Sequence, residues 1–137
     1  AGLADALVSL EVNHAPLQSP RTAFARAVCK ELRAYLADPK HHFAIPLRYA
    51  GSAHQLRVWA ALRRIPAGAV ATYGELAARV NSSPRAVGHA CKTNPIGIVV
   101  PCHRVVAADS VGGYMGRTAG SALTVKRWLL AHESKRR

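Results

Sequence analysis

The chain has 137 residues, half of them hydrophobic, and this length suits one compact domain or one domain with a small addition. It contains no apolar run of about eighteen residues, so we expect no membrane span. Its three cysteines are irregularly spaced and fit neither a disulfide framework nor a zinc module. They favour a reducing compartment, which is the cytoplasm or, in a eukaryote, the nucleus.

The net charge of +12 is concentrated in the second part of the chain. Residues 1–55 carry six Lys and Arg against four acidic residues, whereas residues 56–137 carry thirteen against three. Such a local basic excess indicates a polyanionic partner, with nucleic acid as the first candidate. The alternative is a basic surface that serves only solubility.

The first third of the chain predicts one strand and one helix. Apolar and polar side chains alternate over residues 6–12, which is typical of a half-buried strand. Ser19-Pro20 is a helix opening, with Ser as the N-cap, and Asp38-Pro39 ends the helix. Residues 43–47 are expected to be extended, and Cys29 is interpreted as structural. The predicted apolar face of the helix comprises Ala23, Phe24, Ala27, Val28, Leu32, Tyr35 and Leu36.

The basic part begins with a helix predicted over residues 54–65. Thr72 and Glu75 then form a capping box that opens a short helix, and Ser83-Pro84 opens another that stops at Asn94-Pro95. Two short helices joined by a polar turn, the second small and basic, are typical of a helix-turn-helix, although many such hairpins bind nothing. In the helix predicted over residues 54–65, one face is expected to point inward and the other outward. The inward residues are Leu56, Trp59, Leu62 and Ile65, and the outward residues are Arg57, Arg63 and Arg64.

A cysteine followed directly by a histidine lies between apolar pairs in residues 99–106. The β-branched run over residues 96–100 predicts a buried extended segment, and Pro101 prevents a regular helix through Cys102. A buried cysteine beside a satisfied core histidine is the alternative to a reactive thiol. After the cysteine segment, a turn is predicted over Asp109 to Gly113, and it is followed by Tyr114. A last helix is predicted over residues 121–134.

The combination of these segments resembles the O6-alkylguanine-DNA alkyltransferases, or methylated-DNA–protein-cysteine methyltransferases. The resemblance covers residues 44–134. It rests on Pro101-Cys102-His103-Arg104-Val105, Asn94-Pro95, Arg85-Ala86-Val87-Gly88, Thr72-Tyr73-Gly74-Glu75-Leu76-Ala77, Val58-Trp59, Gly113-Tyr114 and Lys126 through Glu133. The chain departs from the family pattern in three ways. The interval from Tyr114 to Lys126 is longer than the family usually has, His54-Gln55 stands where the family often has Phe-Gln, and the early strands of the family are absent.

The resemblance implies a catalytic set for single-turnover transfer of the alkyl group. Cys102 would be the alkyl acceptor, and His103, through a water, and Glu133 would draw off its proton. Asn94 would be the hinge between the recognition helix and the active-site segment. Cys91 is interpreted as a packing residue rather than a second acceptor.

The resemblance also implies a DNA-binding set and a base pocket. Arg85 would enter the base stack from the minor groove, and Tyr73 would press on a phosphate to rotate the damaged nucleotide out. Thr72, Ala86 and Gly88 are expected on the same DNA-facing surface.

In the pocket, Tyr114 would assist at the guanine and the Val105 carbonyl would accept from its exocyclic amine. Met115 and Pro101 would complete the lining.

The expected architecture is α/β, with a small strand-plus-helix amino-terminal domain at residues 1–46, shortened relative to the family. A mainly helical domain at residues 47–137 carries the helix-turn-helix and the cysteine segment. The expected partner is double-stranded DNA containing O6-alkylguanine, bound by a monomer without membrane contact. No cofactor is expected. No metal is expected either, because His14, Cys29, His41 and His42 lack ligand spacing.

Three alternatives remain at this point. A helix-turn-helix regulator would leave Cys102 and His103 without a task. A lesion-binding relative that does not transfer the group normally replaces the acceptor cysteine, which is present here. A cysteine hydrolase would draw its histidine from elsewhere in the chain.

Overall fold

The structure is a computed structural model that describes residues 6–7, 10, 19–108, 110, 112–114 and 121–134. The α/β architecture predicted from the sequence is confirmed, because helices surround a small parallel sheet. The elements are α1 (Ala23–Ala37), α2 (Ala53–Leu62), β1 (Ala71–Thr72), α3 (Tyr73–Arg79), α4 (Pro84–Lys92), a 3₁₀ turn (Cys102–Arg104), β2 (Val105–Val106) and α5 (Ser121–Glu133). None of the described helices is long and apolar enough to cross a bilayer.

Helix α1 begins later than predicted. Its N-cap is Thr22 rather than Ser19, because the Thr22 hydroxyl accepts a 3.0 Å hydrogen bond from the backbone of Ala25. The predicted end at Asp38 is confirmed. Of the predicted apolar face, Val28 and Tyr35 are buried, Phe24 and Leu32 are partly buried, and Ala23, Ala27 and Leu36 are exposed. The buried stripe is therefore narrower than predicted, because α1 is covered on one side only.

The predicted amino-terminal strand is described at residues 6, 7 and 10 alone. Leu7 forms a parallel bridge with Leu47, and Leu10 forms one with Ile96. Both leucines pack partly buried against the core. The rest of the predicted strand lies outside the described residues.

Helix α2 ends three residues before the predicted end, and its buried face is rotated. Val58 is fully buried, whereas Leu56 is 38% exposed, so its predicted inward orientation is wrong. The cause is Trp59, whose indole N–H donates to the Ala90 carbonyl on α4 at 2.9 Å. This bond turns the Val58–Leu62 side of α2 toward α4. The predicted inward positions of Trp59, Leu62 and Ile65 and the exposed positions of Arg57, Arg63 and Arg64 are confirmed.

Helices α3 and α4 form the predicted helix-turn-helix. The Thr72 capping box opens α3, and Ser83 caps α4 with Pro84 at its first position. Asn81 takes a φ of 54° in the turn, a conformation that asparagine tolerates well. Strand β1 pairs with β2 in the register Ala71↔Val105, so the start of α3 is fixed beside the segment that follows the cysteine.

The predicted extended segment at residues 96–100 is wrong in conformation and right in burial. Ile96 and Val100 are fully buried, but the chain forms turns, with Ile98 at a φ of 71°. The Asn94 side chain closes these turns: its amide donates to the Val100 carbonyl at 2.8 Å and accepts from Ile96 N at 3.0 Å. A side-chain amide thus supplies the hydrogen bonds that a partner strand would have provided.

Candidate active site

Cys102 opens the 3₁₀ turn and is 4% exposed. Pro101 has a φ of −83° and a ψ of 68°, so no regular α-helix runs through Cys102, as the sequence predicted. Burial raises the pKa of the Cys102 thiol, and the hydrogen bond with Asn94 and the positive charge of Lys126 oppose that rise. A thiol in this position needs a nearby base to become a nucleophile.

His103, which directly follows Cys102 in the 3₁₀ turn, forms a buried hydrogen bond with Glu133. Nε2 of His103 lies 2.7 Å from Oε2 of Glu133, and the two side chains are 0% and 1% exposed. The two residues that the resemblance places in one proton relay therefore lie together, and Glu133 is buried rather than at the surface. Glu133 reaches the site because α5 packs against the 3₁₀ turn.

The protonation of the pair follows from its surroundings. Burial alone would raise the pKa of Glu133, but hydrogen bonds from His103, Arg104 and Tyr35 lower it to about 2. Burial lowers the pKa of His103, opposed by the Glu133 carboxylate. A carboxylate therefore accepts from Nε2–H of a neutral imidazole, which leaves Nδ1 as the basic nitrogen. Nδ1 is buried and has no hydrogen-bond partner among the described residues.

Two residues to which the sequence gave no role complete the carboxylate's surroundings. Arg104 donates from Nε to Oε1 of Glu133 at 2.8 Å and from Nη2 to Oε2 at 3.0 Å. The hydroxyl of Tyr35, on α1, donates to Oε2 at 2.5 Å. Arg104 lies inside the motif that carries the family resemblance, whereas Tyr35 is 98 positions from Glu133 and nothing in its local sequence indicates the contact.

Lys126 joins two segments that are expected to line the base pocket, the one at Val105 and the one before Tyr114. Its ammonium group is buried and donates to the carbonyls of Val105 at 2.6 Å and Gly113 at 2.7 Å. Burial lowers the pKa of Lys126 to about 8. Despite the longer interval along the chain, the lysine thus anchors the segment that carries Tyr114. The Val105 carbonyl keeps a second lone pair for another donor.

Tyr114 is 3% exposed, and its hydroxyl has no hydrogen-bond partner among the described residues. Burial raises its pKa, so the phenol stays protonated and can donate. Pro101 is also buried. Met115 lies outside the described residues.

The expected DNA-facing residues lie on and beside α4. Arg85 is exposed in the first turn of α4, and Ala86 and Gly88 are partly exposed. Tyr73 is half-buried between α4 and the pocket, since a Cβ added to Gly112 would lie 3.2 Å from its ring and one added to Gly88 would lie 4.0 Å away. Thr72 is partly buried, and its hydroxyl serves as the N-cap of α3.

The structure also bears on the remaining cysteines and on metal binding. Burial raises the pKa of the Cys91 thiol to about 12, which supports a packing role. Cys29 lies on α1 and is partly buried. In the part of the chain that the structure describes, no group of three His, Cys, Asp or Glu side chains could hold a metal ion.

Comparison with known proteins relates this site to one family. A family model described as the DNA-binding domain of 6-O-methylguanine DNA methyltransferase matches residues 53–135. The chain is 46% identical over 121 residues to the methylated-DNA–protein-cysteine methyltransferase of Mycolicibacterium paratuberculosis, a match that covers 86% of this chain and 69% of the relative.

Two solved structures from Mycobacterium tuberculosis resemble the fold. Its O6-methylguanine methyltransferase aligns with a TM-score of 0.73 at 39% identity, covering 82% of this chain and 67% of that one. Its OGT in complex with DNA aligns with a TM-score of 0.72 at 39% identity, covering 80% and 67%. The chain therefore spans about two thirds of the length of these relatives.

Proposed function

The chain belongs to the 6-O-methylguanine DNA methyltransferase family, and we propose that it repairs O6-methylguanine in DNA by transferring the methyl group to its own Cys102. The observation that carries this proposal is the buried hydrogen bond between His103 Nε2 and Glu133 Oε2, 2.7 Å long, in a 3₁₀ turn that begins at the buried Cys102. A carboxylate that holds a neutral imidazole next to a thiol is the arrangement that generates a nucleophilic thiolate.

The proton of Cys102 passes to Nδ1 of His103, with one water as the bridge that the family resemblance implies. Glu133 stabilises the imidazolium that forms, because its low pKa keeps it ionised throughout the physiological range. The thiolate sulfur then takes the methyl group, the bond from the methyl carbon to guanine O6 breaks, and its electron pair stays with the guanine. The product is a thioether that no base in the site can reverse, so each molecule acts once.

The methylated guanine must leave the duplex to reach a thiol that is 4% exposed. Arg85, exposed at the start of α4, is the side chain that fills the gap left in the stack, and Tyr73 presses on the adjacent phosphate. Ala86, Gly88 and Thr72 belong to the same surface. The excess of Lys and Arg over acids in residues 56–137 holds the phosphate backbone.

In the pocket, the protonated hydroxyl of Tyr114 donates to the guanine. The Val105 carbonyl shares its lone pairs between Lys126 and the exocyclic amine of the base. Pro101 completes the described part of the lining, and the place of Met115 in it stays a prediction. The chain acts on double-stranded DNA, and its monomeric state, the absence of a cofactor and the boundary near residue 46 stay predictions.

The test is transfer of a labelled methyl group from a duplex oligonucleotide to the Cys102→Ser variant. We expect this variant to keep its affinity for the lesion and to lose transfer, whereas Cys29→Ser, a control on α1, keeps both. A regulator would keep its function in both variants. Transfer by Cys102→Ser at the wild-type rate would refute the proposal.

A further inference from the structure

One side chain of the amino-terminal helix α1 contacts the relay, which is the set of Cys102, His103 and Glu133. Tyr35 is 1% exposed, and its hydroxyl donates to Oε2 of Glu133 at 2.5 Å. The same oxygen accepts from Nε2 of His103 at 2.7 Å and from Nη2 of Arg104 at 3.0 Å. Tyr35 therefore contacts the oxygen atom on which the orientation of the His103 imidazole depends.

Tyr35 is itself held firmly against α5. Its ring packs edge-on against His132, with centroids 5.1 Å apart, and at a tilt against Phe43 at 5.6 Å. Its backbone carbonyl accepts from Nε2 of His132 at 2.8 Å. Because His132 directly precedes Glu133 in α5, these contacts fix the distance between the phenol and the carboxylate.

The phenol acts on the carboxylate as a permanent donor. Burial and the hydrogen bond to Glu133 raise the pKa of Tyr35 well above its ordinary value, so the hydroxyl keeps its proton wherever the relay operates. Its bond takes up part of the negative charge on Oε2. The pull of Oε2 on the imidazole N–H is weaker as a result, which favours the neutral form of His103.

We propose that Tyr35 is a positioning residue for the methyl transfer. Its hydroxyl fixes the Glu133 carboxylate, and through it the His103 imidazole, in the orientation that lets Nδ1 take the thiol proton of Cys102. The inference rests on the proposed function. It also makes α1 part of the active site, whereas none of the residues predicted to be catalytic lies within residues 1–46.

The experiment compares the full chain with Tyr35→Phe, which removes only the hydroxyl, and with Tyr49→Phe as the matched control. Tyr49 is a partly buried tyrosine that packs against Trp59 at 5.2 Å, outside the relay. Single-turnover transfer from an oligonucleotide with one O6-methylguanine should slow by about tenfold in Tyr35→Phe and stay unchanged in Tyr49→Phe. Lesion affinity should be unchanged in both.

The pH profile separates positioning from a purely structural role. Without the phenol, Oε2 stabilises the imidazolium more strongly, so the acidic limb of the profile should move to higher pH. Arg104 and Lys126, the cations that also face His103, are the same in both proteins and cannot cause the movement. Unfolding in urea, followed in parallel, shows that the folded protein is being compared.

A double-mutant cycle with Glu133→Gln completes the test. If Tyr35 acts through Glu133, adding Tyr35→Phe to Glu133→Gln should slow transfer by less than about twofold more. Additive losses, or a wild-type rate and profile in Tyr35→Phe, would overturn the inference and leave the proposed function intact. No methyl transfer by the wild type would overturn both.

Discussion

Replacing Glu133 with glutamine is the change that probes the buried relay most sharply. The substitution keeps the shape of the side chain, removes its charge, and presents an amide NH₂ to groups that are themselves donors. Arg104 would then lie partly buried, with its side chain 11% exposed, without the carboxylate that it contacts at 2.8 Å. Loss of one partner from a buried ion pair costs about 3–5 kcal/mol.

The pKa of the carboxyl group gives an independent magnitude. Lowering it from 4.5 to about 2 corresponds to about 3 kcal/mol of stability at neutral pH. Because the folded-state pKa is depressed, this stabilisation is fully present above the unfolded-state value near 4.5 and is lost as the pH falls toward 2. We therefore expect Glu133→Gln to lower the free energy of unfolding by about 3 kcal/mol at pH 7, with the deficit shrinking below about pH 4.5.

The assay is unfolding in urea at a series of pH values. Glu31→Gln is the matched control, because Glu31 is 21% exposed, accepts from Ala44 N at 2.7 Å and lies 3.2 Å from His41. Its cost should stay within about 1 kcal/mol. A loss of less than about 1 kcal/mol for Glu133→Gln, or a deficit independent of pH, would show that its neighbours do not stabilise the ionised carboxylate. Methyl transfer should slow in Glu133→Gln while DNA affinity stays nearly intact.

Two further substitutions separate base extrusion from chemistry in the pocket. Arg85→Ala should slow repair of duplex DNA more than transfer from a free O6-alkylguanine base, as single-turnover rates on the two substrates will show; equal losses would remove its role in the stack. Lys126→Met leaves the carbonyls of Val105 and Gly113 without their donor and should slow transfer from both substrates alike, so a loss confined to duplex DNA would contradict the anchoring role.

Features set by a few neighbouring residues could be predicted from the sequence. The Thr72 capping box and the Ser83-Pro84 opening both appear in the structure, because each depends on hydrogen bonds within one helical turn. The predicted start of α1 at Ser19 is wrong, because Ser19 and Thr22 are both good caps and the local sequence does not distinguish between them.

Features that depend on distant contacts could not be predicted locally. The β-branched run at residues 96–100 has strand propensity, but the amide of Asn94 folds it into turns. His103 and Glu133 are 30 positions apart, so no local pattern predicts that they pair. The family resemblance alone predicts it. Neither a local pattern nor the family resemblance predicts the contact of Tyr35 with Glu133, since this contact forms where α1 packs on α5.

Acceptance of the alkyl group by Cys102, once per molecule, can be measured on the protein itself. The most direct test is the intact mass of the protein after mixing with an oligonucleotide that carries one O6-methylguanine, followed by peptide mapping. We expect a gain of one methyl group, located on Cys102 and saturating at one per molecule. No gain in mass despite tight binding of the lesion, or a methyl group on any other residue, would contradict this expectation.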